Sequence, residues 1–160
     1  HPFVVMFLGT FQHTIDDKGR VAIPHKFRSE LGGSNEGKLV VTLSPRTSFS
    51  YLDIYPVGEW TETTSRILDQ PAVAEGEDAT EVLDILLSNY IHPAQEQTLD
   101  GQGRVLVPPE HREHAGLVKE VVFTGDIRKF RLWSVDEWRR FRDYTAGNKA
   151  KIGSLRGLRL

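Results

Sequence analysis

The sequence predicts an α+β fold, mainly β, in which two copies of one β-β-α-β-β-α unit close into a single small barrel. Two observations carry this reading. Thr14–Pro24, TIDDKGRVAIP, returns as Thr98–Pro108, TLDGQGRVLVP. Each copy also holds four short strands, too few to cover both faces of a sheet alone, whereas two half-barrels packed together can close.

The duplication extends past the motif. Thr14, Asp16, Gly19, Arg20, Val21 and Pro24 align with Thr98, Asp100, Gly103, Arg104, Val105 and Pro108 at an offset of 84 positions. Lys38–Thr42 (KLVVT) returns as Lys119–Phe123 (KEVVF), and Tyr55–Trp60 (YPVGEW) as Trp133–Trp138 (WSVDEW). The order is kept while the offset shrinks to 81 and then 78, as small deletions would make it. Chance agreement between two turns does not do this, and a repeat governs the fold.

Taken in order, Thr10–Ile15 alternates as a strand and runs into the turn Asp16–Gly19, where Gly19 can take positive φ. Arg20–Ile23 is the next strand; a period of two buries Val21 and Ile23 and turns Arg20 and Ala22 outward. Pro24 ends it and opens a short helix, Lys26–Leu31, with Phe27 and Leu31 inward and Gly32 and Gly33 as its stop. Leu39–Leu43 and Ser50–Tyr55 are strands joined through Pro45. Pro56 opens a helix with Trp60, Ile67 and Thr64 inward. Asp69–Asp78 connects the repeats, and Ala79–Tyr90 is an amphipathic helix with the stripe Val82, Leu83, Leu86, Leu87, Tyr90. The second repeat copies the first, through Pro108-Pro109 and Gly116 to a helix from Ser134. Thr145–Leu160, with three glycines, is expected to be largely disordered. The expected domains are 10–57 and 95–142 for the repeats, 58–94 for a helical connection and 145–160 for a basic tail.

Composition bounds the function. There is no cysteine, which fits a reducing compartment without proving one and excludes thiol chemistry. No apolar run approaches the roughly 18 residues of a membrane span, so no membrane partner is expected. His1–Val5 lacks the basic start of a signal peptide; Met6, the single methionine, reads as the natural start, with His1–Val5 a cloning remnant or upstream extension. The net charge of −2 argues against a generic nucleic-acid coat, but charge is segregated. Glu59–Asp84 holds eight acids against Arg66 alone, and Tyr144–Leu160 holds Lys149, Lys151, Arg156 and Arg159 with no acid. A basic binding face can hide behind such a total; a solvated acidic helix pair and a loose basic tail explain these regions equally well.

Catalytic patterns fail in turn. Gly101 and Gly103 give G-x-G, but Leu106 holds the third glycine position and a strand follows where a dinucleotide site needs a helix. Asp16 and Asp100 lack the Thr-Gly of a paired-aspartate protease site and suit turns. His111 and His114 are a helix pair with no third ligand in pattern. The serines have no neighbouring His–acid arrangement. No cofactor, metal or small-molecule substrate is expected, and no enzyme activity. Arg20 and Arg104 remain. Each reads either as an exposed arginine paired with Asp16 or Asp100, or as a projecting planar cation suited to a phosphate or a guanine edge. The matched copies, with Lys18, Lys26 and Arg28 near the first and Arg112 near the second, bring the second reading level with the first.

At D-x-K-G-R-V-x-I-P the chain resembles the SpoVT–AbrB swapped-hairpin domains. Two copies, the start MFLGTFQHTIDDKGR and the segment HAGLVKEVVFTG before RLW are similar to the bacterial MraZ family, over Met6 to about Tyr144. The resemblance implies a double-split β-barrel, assembly into homo-oligomeric rings, and a DNA-binding transcriptional regulator, cytoplasmic and nucleoid-associated, of a division and cell-wall gene cluster. A repressor that binds double-stranded DNA at short direct repeats is expected. It also implies that Arg20 and Arg104 contact DNA, with Lys18 matching the first motif and Gln102 neutral in the second. The alternative is an oligomeric, antidote-type interaction protein without DNA binding. His111 and Ala115 replace Phe27 and Leu31 in the second short helix, so that half is expected to pack less apolar surface and to lean on a subunit contact.

Overall fold

The computed structural model describes residues 6–32, 37–45 and 48–157. The chain is α+β, mainly β and antiparallel. The first repeat runs β1 (Thr10–Thr14), β2 (Arg20–Ala22), α1 (His25–Ser29), β3 (Lys38–Leu43), β4 (Leu52–Pro56) and α2 (Val57–Asp69). A connection follows, α3 (Ala79–Leu86) widening into one π turn at Leu87–Ile91. The second repeat runs β5 (Gln95–Thr98), β6 (Arg104–Leu106), α4 (Pro109–Ala115), β7 (Glu120–Gly125), β8 (Phe130–Ser134) and α5 (Val135–Gly147), ending in a 3-10 turn at Lys149–Ser154.

The strands do not stay with their own repeat. Six form one sheet in the order β1-β7-β8-β4-β3-β5, and β2 pairs with β6 as a separate ribbon. Each repeat thus lends its first strand to the hairpin of the other: β1 lies on β7 in the register Gln12↔Val122, and β5 on β3 as Leu39↔Gln97. Among the described residues, hydrogen bonds between strands do not close the six-stranded sheet on itself. The ribbon packs on it through side chains: Val21, Ile23, Val105 and Val107 share one core with Leu39, Val41, Leu52, Ile54, Val121, Phe123, Phe130 and Leu132. Phe27 of α1 reaches the same core, with ring centroids 5.3 Å from Phe7 and 4.8 Å from Phe130. The opposite sheet face is covered by α5, where Trp133 stacks between Tyr51 (4.5 Å) and Phe141 (4.7 Å). Ser134 caps α5 by accepting from the Glu137 N–H at 3.1 Å.

Beneath α2, a polar chain crosses the repeats. Asp53 of β4 is buried, accepts from the Tyr90 hydroxyl at 2.5 Å, and is paired with Lys129 at 2.7 Å. Lys129 also meets Asp126 at 3.1 Å. A carboxylate this deep is tolerable because each oxygen has a donor.

Several expectations need correction. Trp60 and Thr64 of α2 are half-buried, but Ile67 is 40 % exposed, because Trp60 and Tyr90 already cover that part of the sheet. Of the α3 stripe only Tyr90 is buried; Val82, Leu83, Leu86 and Leu87 are half-buried. The segment expected to be disordered is helical through Gly147 and again from Lys149 to Ser154, with Lys151 N–H bonded to the Asn148 carbonyl; 158–160 lie outside the described residues, as does the helix stop at Gly33. The expectation of less apolar packing in the second repeat is not among these corrections: His111 and Ala115 are as buried as Phe27 and Leu31, but with smaller apolar groups. His111 offsets its polarity through Nε2, 2.7 Å from the Pro93 carbonyl, while Nδ1 has no partner among the described residues.

Candidate nucleic-acid interface

The site is built from one local device used twice. Asp16 Oδ1 accepts from the backbone N–H groups of Lys18 (3.0 Å) and Arg20 (2.9 Å), and the Gly19 N–H closes the turn on the Asp16 carbonyl at 3.0 Å. Gly19 sits at φ +90°, where a side chain would be strained. The second copy repeats this: Asp100 Oδ1 accepts from Gln102 and Arg104, both at 2.9 Å, around Gly103 at φ +74°. The N–H groups of Arg20 and Arg104 hold the Asp16 and Asp100 carboxyls below the usual carboxylate range.

The other carboxylate oxygen of each aspartate takes the arginine. Asp16 Oδ2 accepts from Arg20 Nε at 2.8 Å, and Asp100 Oδ2 from Arg104 Nε at 2.9 Å. The salt-bridge reading is therefore realised, yet it occupies only the Nε edge. The terminal Nη groups of both arginines carry no hydrogen bond among the described residues. Each guanidinium is held in orientation with its fork free, which lowers the entropy lost when the fork meets a ligand.

Ribbon register puts the two arginines on one face. Val21 opposes Val105 and both are buried, so Arg20, Ala22, Arg104 and Leu106 face away from the core. Arg20 lies opposite Leu106, and Arg104 opposite Ala22. The arginines are diagonal neighbours, roughly 7–8 Å apart, with side chains 38 % and 31 % exposed. The two Asp turns sit at opposite ends of this ribbon.

The other cations are placed differently from their sequence grouping. Lys18 is exposed in the first turn and Lys26 is exposed on α1. Arg28, also on α1, reaches the second turn, where Nη1 donates to the Gln102 carbonyl at 3.3 Å. Arg112 of α4 reaches the first turn, with Nη1 3.5 Å from the Asp17 carbonyl. Because β2 and β6 pair across the repeats, each short helix delivers its arginine to the other repeat's turn. Arg112 thus joins Lys18 and Arg20, and Arg28 joins Arg104. The contact needs bare glycine: a Cβ on Gly19 would stand 2.9 Å from Arg112 Nε, and one on Gly103 would overlap Arg28. The sequence signal for this reach was the arginine one residue past the buried position of each short helix, Phe27 and His111. Half-buried His13 lies near Arg28; burial first, and then that charge, hold its pKa below the usual histidine value. Arg20, Arg104, Lys18, Arg28 and Arg112 thus gather around one ribbon.

The histidine pair is drawn apart, His111 to the Pro93 carbonyl and His114 to Ser44 Oγ at 2.9 Å. Among the described residues no group of three or more His, Cys, Asp or Glu is placed to hold a metal ion, and no helix is long and apolar enough to cross a membrane.

A family model described as "MraZ protein, putative antitoxin-like" matches residues 6–83 and 90–153, one stretch for each repeat. Transcriptional regulator MraZ of Oenococcus oeni is 39 % identical over 150 residues, covering 94 % of each chain. The protein of that name from Thioalkalivibrio sulfidiphilus is 38 % identical over 138 residues, 86 % of each chain. That from Azotobacter vinelandii is 35 % identical over 133 residues, 83 % of this chain and 82 % of its own. These relatives are named as regulators and not as enzymes, in line with the failure of every catalytic pattern in the sequence. Two matched Asp-x-x-Gly-Arg turns, the match over both repeats and this identity along most of the chain place it in one family: the chain belongs to the MraZ family.

Proposed function

We propose that the chain is a sequence-specific, DNA-binding transcriptional regulator that lays the β2–β6 ribbon in the major groove. The observation that carries this is the pair of arginines on one ribbon face, each clamped at Nε by its own aspartate with the outer fork free. A two-stranded ribbon fits the major groove, and a free arginine fork matches guanine O6 and N7. Arg20 and Arg104 read bases; Lys18 and Lys26 meet phosphates; Arg28 and Arg112 brace the turns and add positive potential. The names of the relatives support regulation of transcription.

The finer reading is a repressor of a division and cell-wall gene cluster, acting near the nucleoid as a ring. The body is a double-split barrel, supported by the strand exchange and the core shared between ribbon and sheet. A ring built head to tail repeats one orientation of the ribbon, so its operator is a set of direct repeats roughly 10 bp apart, which presents the same groove face to each subunit. Added boxes raise affinity through effective concentration. The family description "antitoxin-like" favours a second reading, an antidote-type protein that pairs with another protein and does not need DNA.

Duplexes with one box, two direct boxes and two boxes with one inverted separate these readings. The proposal expects two direct boxes to bind more tightly than one, and more tightly than the inverted pair. Equal affinity for direct and inverted pairs overturns the head-to-tail ring, and absence of salt-sensitive binding to any box overturns DNA recognition.

A further inference from the structure

We infer that Leu106 is a further base-reading residue of the ribbon, taking the C5-methyl group of a thymine in the base pair next to the one met by Arg20. The inference rests on the DNA-binding reading above and adds a residue that no motif in the sequence singles out.

Leu106 is 49 % exposed, although Val105 and Val107 on either side of it are buried. Its face of the ribbon holds Arg20, Ala22 and Arg104. Single exposed leucines are common on protein surfaces, so exposure alone decides nothing; position does. The bonds from Val107 N–H to the Gly19 carbonyl (2.7 Å) and from Ile23 N–H to the Gly103 carbonyl (3.0 Å) fix the ladder. They make 19 with 107 and 23 with 103 hydrogen-bonded pairs. Arg20 with Leu106 is then a non-hydrogen-bonded pair, the kind in which side chains stand closest, roughly 4.5–5.5 Å apart at Cβ.

That spacing is about one and a half times the base-pair rise of roughly 3.4 Å, nearer to one base-pair step than to none. A guanidinium on one base pair therefore places Leu106 against the next. Leucine has no polar atom, and the one apolar feature of the major-groove edge is the thymine methyl. The device is asymmetric. Arg104 has Ala22 as its partner, which offers a single, half-buried methyl group. The two ends of the ribbon are matched in their arginines and unmatched in their apolar neighbours. The stronger thymine preference belongs beside the guanine read by Arg20, which gives each box a direction.

The test is a uracil scan. A box is first selected from random DNA with the full-length protein, and each thymine is then replaced singly by uracil, which removes the methyl and leaves pairing intact. Wild-type protein is expected to lose roughly fourfold in affinity at one thymine, the value of one buried methyl group. Leu106→Ala is expected to bind more weakly and to show no loss at that position. A uracil scan of Leu106→Ala that matches wild type, or a wild-type scan with no sensitive thymine, overturns the inference. So does a changed oligomer mass in Leu106→Ala with an unchanged scan, since Leu106 then serves a subunit contact. Leu106→Met repeats the experiment if the alanine variant folds poorly; it keeps the apolar contact and is expected to keep the uracil sensitivity. Arg20→Ala separates the two levels. If it binds as wild type, the DNA reading itself fails; if it loses binding while the scans agree, only the role of Leu106 fails.

Discussion

Gly19 and Gly103 occupy the same motif position, yet substitution at the two is expected to cost different amounts. Both have positive φ, so alanine at either site costs roughly 1–2 kcal/mol in backbone strain. What a new Cβ meets is not the same. At Gly19 it would stand 2.6 Å from the Val107 carbonyl oxygen, which is backbone of the paired strand and cannot turn away. The ribbon end would have to part, weakening the bond from Val107 N–H to the Gly19 carbonyl, a further loss of about 1 kcal/mol. At Gly103 the three atoms nearest the Cβ all belong to the Arg28 side chain, the third at 2.9 Å, so no backbone atom stands as near as the Val107 oxygen does at Gly19. That side chain can swing out, giving up a 3.3 Å bond to Gln102 and nothing at Nε, which has no partner among the described residues. Gly19→Ala should therefore melt below Gly103→Ala by about 1 kcal/mol, which for a chain of this length is about 2–4 °C. The assay is thermal unfolding followed by circular dichroism at one protein concentration, so that assembly contributes equally. Equal melting temperatures, or Gly103→Ala melting first, would refute the reasoning.

Other outcomes follow from the same geometry. Lys129→Met leaves the buried Asp53 carboxylate with the Tyr90 hydroxyl and without its cation; a loss of about 3–5 kcal/mol is expected, and an unmoved urea midpoint would contradict it. Lys18→Ala should weaken specific and non-specific DNA alike and lower the salt slope by about 1; loss confined to one operator would show that Lys18 reads bases. The Asp16 and Asp100 carboxyls are held below the ordinary value of 3.8. The stability their ionised forms give the turns is complete above that value and is lost as pH falls through the lower folded values. The side-chain carboxyl carbon NMR shifts of Asp16 and Asp100 should therefore titrate with midpoints below 3.8, and midpoints at or above 3.8 would show that the turns do not hold the ionised forms.

Legibility in the sequence followed the range of the interactions. The Asp-x-x-Gly-Arg turn closes within five residues, so Asp16, Gly19 and Arg20 already specify it, and the period of two correctly buries Val21 and Ile23. That period assigns a face and not a partner. Nothing in Arg20–Ala22 says that it pairs with a strand 84 positions away, which is why Arg28 and Arg112 fall beside the opposite turns from those their sequence positions indicate. Ile67 was misplaced for a related reason. Helical spacing picks the apolar stripe of α2, but whether a stripe residue is buried depends on what else covers the sheet, and Trp60 and Tyr90 already do. The final segment reads as disordered because three glycines close to a chain end weigh against helix locally. A 3-10 turn needs only bonds between residues three apart, which Lys151 and Asn148 supply. For Leu106 the same period and the repeat, which matches it with Ala22, indicate an outward face, but only the register places it beside Arg20.

The central claim is that the Arg20 and Arg104 forks, oriented by their aspartates, read bases. Its most direct measurement is the affinity of wild type, Arg20→Ala, Arg104→Ala and the double variant for a selected operator and for random DNA across a salt series. The account predicts a loss of about 1–3 kcal/mol for each arginine on the operator, a smaller loss on random DNA, and unchanged melting temperatures. A double variant that melts as wild type and still prefers the operator as wild type does would contradict it.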